Sequence, residues 1–196
     1  GKPDARWIAH PATQSHILVG APSISRTDPD YFSLLVGNYV LGGGGFVSRL
    51  MEEVRQKRGL AYSAYSSFSA LQRKGPFVIG MQTRQDQTEE ALKVVDQTLR
   101  DFLAHGPTEQ ELTAAKQNLA GSFPLRIDSN AKILEYLAVI GFYRLPLTYL
   151  EDFVKNVERV SAADVRAAFS RHLDAGRMVT VVVGATHDRS ASRGTQ

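Results

Sequence analysis

Residues 41–66 read LGGGGFVSRLMEEVRQKRGLAYSAYS. The four consecutive glycines, Gly42 to Gly45, remove every Cβ from a predicted loop, so its backbone can adopt positive φ angles and approach another chain closely. Apolar residues at i, i+3, i+4 and i+7 then predict a helix with one apolar face, formed by Val47, Leu50, Met51 and Val54. From Leu60 to Ser69 the period changes to two, which predicts a strand. Loop, helix and strand therefore form one unit.

Two polar side chains of this unit are candidates for one shared surface. Arg55 lies at the edge of the apolar face of the predicted helix. Tyr62 lies early on the predicted strand, on the same side as Ala64, and Tyr65 is expected on the opposite side. Of the other cations, Arg49 is expected to point to solvent.

The flanking segments predict an α+β fold. Strands are expected near residues 16–21, 76–83 and 177–184, the second forming a hairpin with strand 60–69. Helices are expected from residue 27 or 28 to the glycines and over 86–104, 109–122, 130–143, 148–157 and 161–173. The helix over 130–143 is so apolar that we expect burial on more than one face. The whole is a two-layer sandwich, a largely antiparallel sheet with helices on one face, in one domain over 1–185 with a polar tail over 186–196.

The composition excludes several classes of protein. The 23 basic and 20 acidic residues are interspersed, without the clustered basic face of nucleic-acid binders. The absence of cysteine excludes disulfides, thiolate zinc sites and a cysteine nucleophile. No apolar run is long enough for a membrane span, and the first residues do not resemble a signal peptide, so the sequence starts as a mature fragment would.

Motifs for chemistry within the chain are equally scarce. The five histidines form no H-E-x-x-H, no H-x-x-E-H and no pair of histidines at i, i+4 accompanied by a carboxylate, which predicts no zinc site in this chain. There is no G-x-S-x-G nucleophile elbow, although a Ser/His/Asp set in another order remains open. Gly45 is not followed by the lysine of a phosphate-binding loop, which disfavours nucleotide binding. A third hypothesis is an anion-binding module that uses the glycine loop.

The stretch 41–66, with QSHILVG at 14–20 and MVTVVVG at 178–184, resembles the pitrilysin-like or M16 zinc peptidases. That family includes the mitochondrial processing peptidases and the core proteins of the respiratory bc1 complex. Its members enclose a peptide between two homologous α+β halves with the LuxS/MPP-like metallohydrolase fold. The first half commonly carries H-x-x-E-H for zinc, and the second carries an arginine and a tyrosine seven residues apart. Arg55 and Tyr62 match that spacing, so the chain resembles the second, zinc-free half.

The resemblance implies roles for the candidate residues. Tyr62 would donate a hydrogen bond to the oxyanion and Arg55 would hold a peptide carbonyl. Gly42, Gly43, Gly44, Gly45 and Phe46 would bind substrate. The alternative for Arg55 and Tyr62 is structural: Arg55 pairs with a helix carboxylate such as Glu52, and Tyr62 packs.

The resemblance also implies partners. Because the chain lacks H-x-x-E-H, we expect it to be inactive alone and to bind no cofactor, with zinc supplied by a partner domain or subunit in a homo- or heterodimer. A core-protein-like scaffold is the alternative function. A bacterial periplasm or another soluble compartment is expected. The sequence does not give the peptide substrate, the cleavage preference or the oligomeric state.

Overall fold

A computed structural model describes residues 4–184 of the chain. It contains one five-stranded sheet in the order β1-β5-β2-β4-β3. The strands are β1 (Asp4–Ala9), β2 (Gln14–Pro22), β3 (Ala61–Phe68), β4 (Pro76–Arg84) and β5 (Val179–Gly184). Strands β1 and β5 are parallel, and the other neighbours are antiparallel. The largely antiparallel sheet and the β3–β4 hairpin are therefore confirmed.

The helices connect and cover this sheet. They are α1 (Tyr31–Asn38), α2 (Arg49–Met51), α3 (Thr88–His105), α4 (Glu109–Gly121), α5 (Asn130–Tyr143), α6 (Tyr149–Arg159) and α7 (Ala162–His172). A capping box begins α4, since the Thr108 hydroxyl accepts from the Glu111 amide and the Glu111 carboxylate accepts from the Thr108 amide. The α+β architecture is confirmed, and each helix predicted after residue 85 has a counterpart.

The core lies between one face of the sheet and the helices. In β2, Ile17 and Val19 are buried while His16 and Leu18 are exposed, which confirms the predicted period of two. Aromatic side chains join the helices to one another: Phe169 of α7 packs edge-on against Phe102 of α3 at 4.8 Å between centroids. The opposite face of the sheet carries exposed apolar residues, namely Ile8, Leu18, Tyr65 and Val179.

Helix α5 differs from its prediction. It was expected to be buried on more than one face, but Ile140 is its one fully buried residue, and Leu134, Leu137 and Phe142 are 66%, 52% and 61% exposed. The prediction is wrong because an apolar composition indicates that a surface is to be covered, but it does not indicate whether this chain or another molecule covers it. Nothing in residues 4–184 packs on this outer face of α5.

Two further expectations concern the ends and the membrane. The polar tail predicted over residues 186–196 lies outside the described residues, and the domain boundary at residue 185 stays a prediction. Within residues 4–184, none of the helices combines the length and the apolar composition that crossing a bilayer would require.

Candidate functional site

The glycine run is only partly a loop. Gly42 and Gly43 end a π-helical turn, Tyr39–Gly43, in which the Gly44 amide donates to the Tyr39 carbonyl at 2.8 Å. Gly45 alone of the four has a positive φ, 63°. The predicted four-residue loop is therefore wrong in its first half, because helix α1 continues into the wider turn.

Gly42 is needed for close packing within the chain. A Cβ placed on Gly42 would lie 2.4 Å from the Ser66 amide nitrogen and 2.7 Å from a Leu50 methyl. The same junction is held by Asn38, whose amide nitrogen donates to the Ser66 carbonyl at 3.1 Å and whose amide oxygen accepts from the Ser66 hydroxyl at 2.7 Å. The glycine run thus fixes strand β3 against the end of α1.

The predicted helix after the glycines is broken into short turns. A 3₁₀ turn (Gly45–Val47) comes first, Ser48 is extended, and α2 then passes into a π-helical turn (Glu52–Gln56). Val47 is 75% exposed rather than part of the apolar face, whereas Leu50 and Val54 are buried as predicted. The break occurs at Ser48, whose hydroxyl donates to the Gly45 carbonyl at 2.7 Å and so competes with a continuous helix.

Arg55 lies in this second π-helical turn and is half-buried. Its guanidinium stacks on the Phe46 ring at 4.7 Å from the centroid, which brings the end of the glycine segment to the arginine. In residues 4–184, Arg55 has no carboxylate within 4.0 Å, and Glu52 pairs with Lys57 at 3.0 Å instead. The structural alternative for Arg55, a pair with Glu52, is therefore not formed.

A β-bulge determines where Tyr62 points. Ala61 pairs with Thr83 and Ala64 pairs with Met81, so β3 has one residue more than β4 between these two pairs. The extra residue breaks the alternation, and Tyr62 does not share the buried side of Ala64. Tyr62 is 83% exposed, and Tyr65 is exposed as well. The predicted placement of the two tyrosines on opposite faces is wrong for this reason.

Arg55 and Tyr62 line one open cavity of about 350 Å³ at the end of the β2–β4–β3 part of the sheet. Its polar lining also includes residues that the motif reasoning missed: Gln14, Gln82, Thr83, Arg84 and Gln87. The period of two in β2 and β4 already places Gln14 and Gln82 on the open face of the sheet, so a sequence signal for them existed. Phe46 touches this site through Arg55, and the run from Gly42 to Gly45 is not part of its lining.

The cavity is suited to hydrogen bonding with a neutral polar chain. Glutamine amides both donate and accept, as peptide groups do, and Arg55 supplies a guanidinium without a carboxylate partner in the described part of the chain. The other guanidinium, Arg84, is paired with Asp86. Although β3 is an edge strand of the sheet, its outer backbone groups are covered beyond Tyr62, since the Ala64 amide donates to the Met51 sulfur at 3.3 Å and the Ser66 carbonyl accepts from Asn38.

The described residues do not offer a fitting zinc site. Neither histidine nor carboxylate lines the cavity of Arg55 and Tyr62. The one group of potential ligand atoms within 4.8 Å in residues 4–184 is Asp28, Asp30 and His172. Both carboxylate oxygens of Asp30 accept from Arg171, at 2.7 and 2.9 Å, and this interaction lowers the pKa of Asp30. Asp30 is thus engaged as an anchor between α1 and α7 rather than as a metal ligand.

Arg49 has a structural role that the sequence did not predict. It was expected to point to solvent, yet it donates to both carboxylate oxygens of Glu111 at 2.7 Å and to the Gly106 carbonyl at 2.9 Å. Burial raises the pKa of Glu111, but the bonds from Arg49 and Thr108 outweigh it, so the pKa lies below its ordinary value. Arg49 thereby fastens α2 to the start of α4 and is not a candidate for the site.

Comparison with known proteins gives one consistent family. The family described as "Peptidase M16 inactive domain" matches residues 1–119. An uncharacterized zinc protease of Streptomyces coelicolor is 32% identical over 186 residues, which is 95% of this chain and 40% of that protein. The non-peptidase homolog YmxG of Helicobacter pylori is 31% identical over 174 residues, 87% of this chain and 39% of that protein. The chain thus spans about two fifths of the length of these relatives.

Solved structures agree with the sequence relatives. The peptidase M16 inactive domain from Pseudomonas fluorescens is 44% identical with a TM-score of 0.90, over 94% of this chain and 44% of that one. The periplasmic protease PqqL from Escherichia coli has a TM-score of 0.78 at 17% identity, over 94% of this chain and 21% of that one, and shows a shared fold alone.

Proposed function

Because the chain belongs to the peptidase M16 inactive-domain family of zinc protease-like proteins, we propose that it forms the zinc-free half of a two-part peptidase. In this proposal a zinc-bearing domain or subunit with H-x-x-E-H faces the Arg55 and Tyr62 cavity, and a peptide binds between the halves. The observation that carries the proposal is that Arg55 and Tyr62 line one cavity while neither is paired with a charged or polar group of residues 4–184.

The roles of the residues follow from their surroundings. Tyr62 is exposed at the cavity, where a peptide lying along the polar lining can place a carbonyl near the phenol. Arg55, held by stacking on Phe46, can donate to a neighbouring peptide carbonyl. Zinc in the other half would activate water and polarise the scissile carbonyl. The phenol of Tyr62 would then donate to the oxyanion, a contact worth about 3–4 kcal/mol of barrier.

The uncovered apolar surfaces support a partner of similar build. One surface is the outer face of α5 with Leu134, Leu137 and Phe142, and the other is the open sheet face with Ile8 and Leu18. Exposed apolar patches of this kind mark protein interaction sites. Since the relatives are more than twice as long as this chain, their additional length provides a candidate cover for both surfaces.

The test is reconstitution with the zinc-bearing half. We expect cleavage of an unstructured peptide by the pair, with kcat/KM lowered about 100-fold or more in Tyr62→Phe and by at least tenfold in Arg55→Ala. The matched controls are Tyr65→Phe on the same strand and Arg58→Ala three residues after Arg55, where Arg58 already bonds the Glu53 carbonyl at 2.8 Å. If the two site variants retain the kcat/KM of the controls, the catalytic role is wrong.

A scaffold is the second candidate function. The name of the Helicobacter pylori relative, a non-peptidase homolog, favours it. In that case the chain would still bind its partner half through the surfaces above, but the pair would cleave no peptide even when zinc is bound. The scaffold function would be supported if the assembled pair, with zinc bound, cleaved no peptide of a diverse library. The compartment stays a prediction, to be settled by fractionation of the source cells.

A further inference from the structure

A second cavity, of about 290 Å³, lies far from the Arg55 and Tyr62 site. It is formed where the segment before α1 meets the segment before α6, and Arg26 lies within it. The Arg26 amide donates to the carbonyl of Leu71, in the turn between β3 and β4. Tyr62 is at the other end of β3, so the two cavities are at opposite ends of the sheet. This cavity has no part in the function proposed above.

Arg26 is held in an aromatic box. Its guanidinium carbon lies 4.2 Å from the centroid of the Tyr31 ring and 5.5 Å from that of Tyr149. One terminal nitrogen donates to the Tyr31 hydroxyl and the other donates to the Tyr149 hydroxyl at 2.8 Å. The Nε–H is buried and has no acceptor in the described part of the chain. Such an orphaned donor is uncommon in folded proteins and indicates that the group has a further task.

The charges around the cavity leave Arg26 uncompensated. No carboxylate of residues 4–184 lies within 4.0 Å of its guanidinium, although two aspartates line the same cavity. Asp28 accepts from the Asp30 amide at 3.0 Å and lies 3.5 Å from His172, and Asp152 lies 3.7 Å from Lys155. Both carboxylates therefore have partners of their own. Arg144, also in the lining, is a second cation, so the lining holds two arginines and two aspartates, and neither carboxylate pairs with Arg26.

The two phenols extend the donor set. Each hydroxyl already accepts a hydrogen bond from Arg26, and the two hydroxyls also bond each other, so one of the two hydroxyl protons is left to donate to a ligand. Burial raises the pKa of Tyr149 far above its ordinary value, which keeps this hydroxyl protonated over the whole physiological range. A guanidinium with phenol donors beside it is a recognised way to bind an oxyanion, since charge-assisted hydrogen bonds are the stronger ones.

The remaining wall of the cavity is apolar, built from Pro29, Phe32, Leu145 and Pro146. Inorganic phosphate would leave this wall uncovered, whereas a carboxylate attached to a small apolar group would fill it. We propose that the cavity binds an organic monocarboxylate with an apolar body about the size of one amino-acid side chain, its carboxylate on Arg26 and the Tyr149 hydroxyl.

Titration calorimetry on the full chain tests this proposal, with benzoate as the probe. We expect benzoate to bind, its neutral isostere benzamide to bind at least tenfold more weakly, and phosphate to bind more weakly than benzoate. Arg26→Gln should weaken benzoate binding by at least tenfold and Tyr149→Phe by severalfold. Arg100→Gln on α3, whose guanidinium is paired with Asp96 at 2.7 Å, is the matched control and should leave benzoate affinity unchanged.

Several results would overturn the proposal. Equal affinity for benzoate and benzamide would show that the negative charge of the ligand is not recognised. Phosphate binding that is tighter than benzoate binding would refute an organic ligand. If Tyr149→Phe and Arg26→Gln each bind benzoate with the affinity of wild type, benzoate binds at another site. If Arg26→Gln does not fold by circular dichroism, the comparison of benzoate with benzamide on wild type and Tyr149→Phe decides alone. If benzoate gives no heat of binding at concentrations up to about 10 mM, the proposal is refuted outright.

Discussion

Replacing Gly42 by alanine asks whether the glycine run serves the fold or the substrate. The added Cβ would lie 2.4 Å from the Ser66 amide nitrogen, 2.5 Å from the Ser66 hydroxyl and 2.7 Å from a Leu50 methyl. Two of these three atoms belong to a residue that is fixed in β3 by pairing with Ile79, so they cannot move aside without disturbing the sheet. We therefore expect a destabilisation near the upper end of the overpacking range, about 2–3 kcal/mol.

The matched control is Gly141→Ala on the exposed helix α5. No atom lies within 4 Å of the Cβ that alanine would add there, so the gain in helix propensity should dominate, about 0.5–1 kcal/mol of stabilisation. Both variants would be compared with wild type by urea and thermal unfolding. For a chain of this size, Gly42→Ala should lower Tm by about 4–12 °C, since each kcal/mol shifts Tm by about 2–4 °C. A Gly42→Ala protein as stable as wild type would refute the packing role of Gly42.

Two further predictions concern charge and surface. Glu111 has a pKa below its ordinary value of 4.5 because its bonds with Arg49 and Thr108 outweigh burial, so its stabilising contribution is complete above about pH 4.5 and is lost as the pH falls through the lowered pKa. Glu111→Gln should therefore reduce the loss of Tm on acidification below pH 4.5, and an unchanged Tm-against-pH curve would contradict this. Leu137→Ser on the outer face of α5 should change stability by less than about 0.5 kcal/mol while weakening association with the zinc-bearing half, measured by titration calorimetry. Unchanged affinity would show that the partner does not cover this face.

Much of the architecture could be predicted because it depends on local patterns. The strand expected near residues 16–21 and the hairpin of β3 and β4 each depend on residues close in sequence, and both were found. The order of the sheet could not be predicted in the same way. The position of β5 between β1 and β2 depends on contacts between segments more than 150 residues apart along the chain.

The errors near the site have a common physical origin. The two π-helical turns and the bulge before Ala64 each shift the phase of a regular period by one residue, and the extended Ser48 interrupts the helical period altogether. A shift of one residue in a strand moves a side chain to the opposite face, as happened to Tyr62. Periodicity assumes regular backbone, so it fails where the backbone is irregular.

These irregularities gather around Arg55 and Tyr62, and that concentration bears on their role. A regular helix and a regular strand would bury Tyr62 beside Ala64, and the phenol would then serve the core. The bulge instead carries Tyr62 to the open side, at 83% exposure, while the π-helical turn holds Arg55 against Phe46. Bulges and π-helical turns weaken regular hydrogen bonding and occur often at functional sites. A chain that used these residues only for packing would have no physical reason to place both irregularities at the same cavity.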